Sequence, residues 1–392
     1  MMEISFAAQR KHLLYLIFFL FLMLFPPALI LHIYSFEQLI QYPISLGLIY
    51  LAIKFSKLRF LEFNFIYIIS FSLLVLLFFV KSNFVPIKFI YGLFVIALVP
   101  SMFYYQPKMR NYLILSHLLV AILFSFIILI EFSLDVFGYK IQYTILTDYF
   151  RNYKFVKLNP FFGIEKYSGR YTSFFTEPNR FAFFLTIPFV ITLLSKKKIG
   201  NYFILFLLGF SIFLTKSLFA AVTIIFAIFL YFFGFKKRIL LSALVIITIG
   251  YYNLESVLLF FGRTQSFNER IIATIDMITV INKYPLGVGA SFDIKKIPGV
   301  VQGSTFTAIN FWGVTGGYIA LFLLAGLFIK ILKHLKYLYD SSQEMEKMIS
   351  IAFVPYLLQQ IWLQDMFGYL FLFYFSLLIS FEGKYDNPLR KT

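Results

Sequence analysis

Cysteine is absent from this 392-residue chain, and only four histidines occur, His12, His32, His117 and His334. Without cysteine there can be no disulfide, no thiol nucleophile and no thiolate metal site. The histidines are scattered and show no HxxxH or HxxE spacing, so neither a metal nor a cofactor is expected. Charge is scarce as well: 14% of residues are charged, against 60% hydrophobic. A soluble domain of this length cannot enclose so much apolar surface, and the natural solvent is lipid. The apolar run from Leu13 to about Tyr34 lacks a small-residue cleavage site after it. It reads as a retained first span rather than a signal peptide. Linkers of low complexity and internal repeats are also lacking, so residues 1–392 read as a single integral membrane domain.

What is present is a series of apolar runs and an excess of cations. A spanning helix needs about 20 apolar residues. About 12 candidate runs fall near 13–34, 39–53, 65–80, 86–105, 112–137, 178–194, 201–215, 217–235, 239–253, 312–331, 349–363 and 367–381. The fold class expected is therefore an all-α polytopic membrane protein. The net charge of +17 would point to nucleic acid in a soluble chain. Here the question is where the cations lie relative to the bilayer, and no nucleic-acid partner is expected. With the N-terminus placed in the cytoplasm, the inside loops and tails collect 20 of the 35 Lys and Arg, including Lys196–Lys198 and Lys236–Arg238. Both termini are then cytoplasmic. One long helix over 201–235 would put those two basic clusters on opposite sides, so a break at Lys216–Ser217 is expected.

This topology leaves two large outside loops, about 138–176 and 254–311, each expected to contain short amphipathic helices. The first is basic, with Lys140, Arg151, Lys154, Lys157, Lys166 and Arg170 against Asp148 and Glu165. Cations outside run against the topology bias; an anionic ligand or contact with anionic lipid heads would account for them. The loop ends in "GRYTSFFTEPNR", residues 169–180. Thr176 can cap a helix and Pro178 suits its first turn. Glu177 then sits at the positive end of the helix dipole, with Arg170 able to fold back towards it and Arg180 one turn on. A carboxylate can take a proton from a hydroxyl, and a guanidinium can grip a phosphate in a fork. The same pair could equally be an interfacial anchor.

In the second loop, residues 268–282 carry Ile271, Ile272, Ile275 and Ile278 at helical spacing, with Arg270 and Asp276 on other faces. The spacing predicts an amphipathic helix along the outer surface, although Val280 and Ile281 fall outside the stripe. "YPLGVGASF" follows, a Pro/Gly turn from Tyr284 to Phe292. Gly287 and Gly289 fit either a plain turn or a close approach to a pyrophosphate. Within the spans, Glu131 and Asp135 lie one turn apart and could be interfacial or pair with a base such as Lys216. His117 reads as packed rather than as a relay. Lys216 is a cation expected below the outer surface, which needs water or a partner.

Three stretches together resemble the Wzy-type O-antigen polymerase and O-antigen ligase superfamily. They are R-x-x-S-x-F-x-E-P-N from Arg170 to Asn179, "LTKSLFA" from Leu214 to Ala220, and the late loop with Arg263, Arg270, "YPLGVG" and "INFWGVTGG" from Ile309 to Gly317. The resemblance covers most of residues 138–330. It implies a metal-independent glycosyltransferase without cofactor, in the bacterial cytoplasmic (inner) membrane. Its function would be to polymerise undecaprenyl-pyrophosphate-linked repeat units, for O-antigen or capsule, on the outer face. The partners implied are the lipid-linked donor and acceptor glycans and membrane lipids, with a chain-length regulator as a further candidate. Glu177 and Arg170 are the catalytic candidates. Arg263, Arg270, Lys216 and Arg180 are candidates for the pyrophosphate, where cations would meet developing negative charge. Gly287, Gly289 and Asn310 are candidates for other substrate contacts. The ligase branch usually carries a histidine before the asparagine, where this chain has Ile309. The hairpin motif often has arginine after the serine, where this chain has Leu218. The alternatives are an O-antigen ligase acting on lipid A core and a lipid-linked oligosaccharide flippase.

Overall fold

A computed structural model describes residues 6–24, 46–55, 64–82, 87–137, 178–195, 199–233, 264–289, 292–301, 308–341, 343–362 and 369–382. Among the described residues all regular structure is helical. The helices are α1 (Phe6–Leu24), α2 (Asn64–Ser82), α3 (Ile87–Tyr105), α4 (Pro107–Val136), α5 (Pro178–Leu194), α6 (Ile199–Leu214), α7 (Leu218–Phe233), α8 (Thr264–Lys283), α9 (Ala308–Tyr339), α10 (Glu344–Trp362) and α11 (Tyr369–Glu382). Residues 46–55 are helical too, and the expected run 239–253 lies outside the described residues. Two helices, Pro107–Val136 and Ile309–Tyr339, are long and apolar enough to cross a membrane. Contacts divide the chain into two compact units, Met1–Phe55 with Tyr105–Ile224, and Ser56–Tyr104 with Ile225–Thr392.

In the first unit α4 is the central element and packs on α1, α5 and α6, while α5 also packs on α6. The α5–α6 pair is antiparallel. Asn201 Nδ2 donates to Ser195 Oγ (2.9 Å) at one end, and Gly209 lies against the Phe189 ring further along. A Cβ at Gly209 would stand 3.1 Å from Phe189, so glycine sets how closely these helices approach. By contrast α4 and α6 run parallel, since Phe126 meets Phe203 and Phe132 meets Phe210.

Pro188 stands inside α5. Proline has no N–H, so the carbonyl four residues earlier, on Phe184, loses its helical donor. His117 replaces that donor: its Nε2 lies 2.9 Å from Phe184 O, and the His117 and Phe184 ring centres are 4.4 Å apart with the planes tilted by 56°. The hydrogen therefore sits on Nε2, and the imidazole is a packed group of the unit's core.

In the second unit α9 carries α2, α8, α10 and α11. Every side chain of α11 from Phe371 to Phe381 is buried. A helix apolar on all sides is an interior one, and its aromatics interlock with Tyr67, Phe71, Phe353 and Tyr356. Of its serines, Ser380 Oγ donates locally to Leu377 O (2.6 Å), and Ser376 Oγ donates to Val95 O on α3 (3.5 Å). At the lower end of α9, Lys330 lies 4.3 Å from the Tyr67 ring centre and His334 Nε2 meets Leu378 O at 2.9 Å. Glu346 is fully buried and accepts from Ser341 Oγ (2.7 Å), which closes the α9–α10 turn.

The helix α9 is broken at Gly317, where φ is 62° and ψ −149°. Residues 284–289 of the expected turn are stitched into the break. Val288 N donates to Val314 O (2.9 Å), Gly289 N to Thr315 O (3.1 Å), and Tyr318 N to Pro285 O (2.9 Å). Val314 O and Tyr318 N, which a continuous ladder would have paired, and Thr315 O, which would have taken the Ile319 amide, are thus paired with the turn. A Cβ on Gly287, itself at φ 75°, would stand 2.5 Å from Thr315 O.

The face of α8 that packs inward differs from the expected one. Met277, Val280 and Ile281 form the core with Ile294, Ile297 and Val314. Ile271, Ile275 and Ile278 are exposed instead. Asp276, expected on a polar face, is fully buried and accepts from Val301 N (2.8 Å). The helix has two apolar stripes, and the one read as a break in the pattern is the one that α9 and residues 294–297 cover.

Gly287→Ala should lower stability by roughly 2–4 kcal/mol, combining left-handed strain with overpacking. Gly326→Ala, with nothing within 4 Å of the new Cβ, should be neutral or stabilising. Thermal unfolding of the detergent-solubilised protein compares them. His117→Leu should cost about 1–3 kcal/mol by stranding the Phe184 carbonyl. The loss should shrink in a Pro188→Ala background, where the residue-188 N–H restores the ladder bond; an additive pair would refute the exchange.

Candidate functional site

The site expected from sequence is spread over both units. Arg170, Glu177 and Arg263 lie outside the described residues. Arg180 falls in the first turn of α5, and its side chain lies outside the described part. Lys216, Arg270, Gly287, Gly289 and Asn310 are described in full.

In the first unit, helix register decides what comes together. Along the antiparallel α5–α6 pair, 195 meets 201 and 189 meets 209. Carried on, this puts Lys216 level with residues 180–182, at the start of α5. Along the parallel α4–α6 pair, 126 meets 203 and 132 meets 210. Asp135 is then level with residues 212–213, one turn short of Lys216. The first turn of α5 with Arg180, the end of α4 with half-buried Asp135, and the Lys216 turn therefore share one end of this unit. Glu131, one turn further in on α4, is buried at 3% exposure.

The break at 215–217 is where sequence placed it. Thr215 N donates to Ile212 O (3.1 Å) and Lys216 N to Phe213 O (2.9 Å), which tightens the last turn of α6. Lys216 then takes φ 48°, the one non-glycine among the described residues with positive φ. Buried Ser217 opens α7, its carbonyl accepting from Ala221 N (3.1 Å). Lys216 itself is exposed. This end of the unit thus holds the N-termini of α5 and α7, two dipole ends of positive sign, together with the cation of Lys216. Such an arrangement favours an anion.

In the second unit α8 and α9 run parallel, with Gly313 close to Met277 and Tyr318 Oη donating to Asn282 Oδ1 (3.3 Å). This register puts buried Asn310 level with residue 274, one turn from half-buried Arg270. The amides of residues 287, 288 and 289 donate to Tyr284 O, Val314 O and Thr315 O. The close approach that Gly287 permits is to the backbone of α9, and the residues form the plain turn that was one of the two readings.

The residues that sequence reading missed as organising groups are His117, Asp276 and Gly317. The signal for His117 was Pro188 on another segment, which leaves a carbonyl to be satisfied. For Gly317 it was the "GVTGG" run inside an otherwise uninterrupted span. No family model matches the chain, and no curated protein matches it in sequence.

Lys216→Gly should leave the unfolding midpoint unchanged or raise stability by about 1 kcal/mol, because glycine takes positive φ without strain. Lys216→Val should lower it by about 1–3 kcal/mol, because a β-branched residue is strained there. Scanning calorimetry or a thermal-shift assay on the two variants checks this.

Proposed function

We propose that this chain is a polytopic glycosyltransferase of the bacterial cytoplasmic membrane that polymerises undecaprenyl-pyrophosphate-linked oligosaccharides on the outer face. It spans the membrane about 12 times, with both termini in the cytoplasm. Its resemblance is to Wzy-type polymerases, carried by the stretches 170–179, 214–220 and 309–317. The observation behind this reading is that the start of α5, where Arg180 stands in the chain, is level with the exposed Lys216 turn, so that two helix N-termini and a lysine share one end. Glu177 immediately precedes α5 in the chain, so its backbone enters at that same end.

The chemistry follows from the residue types. A pyrophosphate leaves the donor sugar as charge builds on its oxygens, and cations fixed in advance lower that barrier. Arg170, Arg180, Lys216, Arg263 and Arg270 are the candidates for this task. Glu177 acts as the base that takes the proton from the attacking acceptor hydroxyl. No step requires a metal. Asn310 is a further substrate contact, and the apolar helix surfaces receive the polyprenyl tail. The absence of histidine from residues 138–176 and 254–311 favours polymerase over a ligase with a histidine base.

The test is purified protein with lipid-linked repeat units, with products resolved by size. Ladders support the polymerase; a single transfer to lipid A core indicates a ligase. Lipid movement without a new glycosidic bond indicates a flippase. Arg170→Ala and Glu177→Ala should each cut lengthening by about 10²-fold or more while expression survives. Ladders that persist in both variants would sink the assignment. EDTA should leave activity intact, and a clear loss would restore a metal to the mechanism.

A further inference from the structure

Helix α8 and the chain that follows it form a hairpin with charges at its tip. The helix runs parallel to α9, so it points into the bilayer rather than along its surface. The chain then comes back beside it. A Cβ on Gly299 would stand 3.5 Å from Thr279 Cγ2, and Val301 N donates to Asp276 Oδ1 (2.8 Å). Residues 297–301 therefore climb back towards the start of α8, with Ile294 and Ile297 in one core with Met277, Val280 and Ile281.

The depth of the tip follows from α2, in the same unit. Gly316 on α9 lies against Leu77, and Lys330 lies over the Tyr67 ring, so α2 and α9 are antiparallel with 316 level with 77. Gly313 beside Met277 puts Lys283 level with residue 319, three residues inward of Gly316. Helix α2 runs on five residues outward of Leu77, to Ser82. Three and five residues, eight in all, rise about 12 Å. Exposed side chains on α2, among them Ile69, Leu73, Leu76 and Phe79, are apolar to a level outward of Lys283.

The tip does not match that apolar depth. Lys283, Lys295 and Lys296 are exposed there, with Asp293 the exposed carboxylate beside them. Lys283 Nζ donates to Pro298 O (2.6 Å), which holds the returning segment at the foot of α8. Asp293 Oδ1 accepts from the Lys295 N–H (3.2 Å), and three cations stand against one anion. An amine in hydrocarbon is costly, so cations at this depth face water. Irregular backbone at membrane depth is tolerated only where protein covers it or water lines it. Residues 285, 288 and 289 are covered by α9, and the charges stand on either side of them.

We infer that α8 and the segment returning to Val301 form a re-entrant hairpin whose tip floors a water-filled vestibule open to the outer face. Lys283, Lys295 and Lys296 there receive an anion of the phosphate class. Low-dielectric walls around a cleft of one sign focus its field and concentrate counter-ions. The inference rests on the membrane-spanning reading of this unit and is independent of the polymerase chemistry.

The chain has no cysteine, so one introduced residue is a unique probe. Lys296→Cys, Phe79→Cys and Leu73→Cys, each carrying a nitroxide, are placed in phosphatidylcholine nanodiscs, which leave both faces open to reagents. A water-soluble nickel complex should relax the label at position 296 but not at 79 or 73, where dissolved oxygen does. Nickel at 79 as well as 296, with 73 shielded, overturns the inference by putting the tip above the bilayer, and leaves the membrane reading standing. Nickel at 73 removes the membrane reading and the inference with it. Shielding at 296 overturns the inference in favour of a dry tip. The anion half is read from the unlabelled Lys296→Cys thiol, with methanethiosulfonates carrying a sulfonate or an ammonium group. Relative to glutathione, the sulfonate should gain roughly tenfold over the ammonium. The gain should shrink in Lys295→Gln and vanish when Lys283→Gln is added. Inorganic pyrophosphate should slow the labelling. Equal rates for the two reagents, or labelling that pyrophosphate leaves unchanged, overturn the anion site.

Discussion

A backbone amide or carbonyl in apolar surroundings must find a partner inside the protein, and this requirement organises the structure. Helices meet it automatically along their length. The informative places are those where the ladder is interrupted. At Pro188 the stranded carbonyl of Phe184 is taken by the His117 imidazole. At Gly317 the freed groups are taken by the turn 284–289. At Lys216 the chain closes the end of α6 with tight turns and restarts at Ser217. Each interruption is bound to a specific partner, and two of the three bring distant segments of sequence into contact.

The same requirement shapes the chemistry available. Polar groups in the helix bodies are largely drawn into local bonds, as with Thr186, Thr192 and Ser211 on preceding carbonyls. What is left to act on a ligand gathers at helix ends, where amides point outward and dipoles add. Arg180 and Lys216 belong to such ends. Their common level follows from the antiparallel register of α5 and α6, in which 195 meets 201 and 189 meets 209.

Much of this was legible in the sequence. The helical class and the limits of most helices follow from apolar runs bounded by charge, and α5 begins and ends where the pattern places it. The break at 215–217 was legible from the basic clusters on either side of it, since a single helix could not satisfy both. The inward face of α8 was not. Its two apolar stripes compete, and only the position of α9 and Ile294 decides between them. Sequence puts Asp276 only on a face other than the isoleucine stripe; the amide that holds it belongs to Val301, 25 residues away. For the site, the residue types and their proximity to helix starts were readable. The shared level of Arg180 and Lys216 was not, because it depends on the pairing of α5 with α6.

The discontinuity in α9 separates the short stretch carrying Asn310 and Trp312 from the long rod beyond Tyr318. With the ladder cut, the heading of that stretch is dictated by the inserted strap and, through it, by Lys283 and the segment up to Val301. The strap also holds Tyr318 on the far side of the break, so Asn310, the foot of α8 and the start of the rod are knotted into one joint.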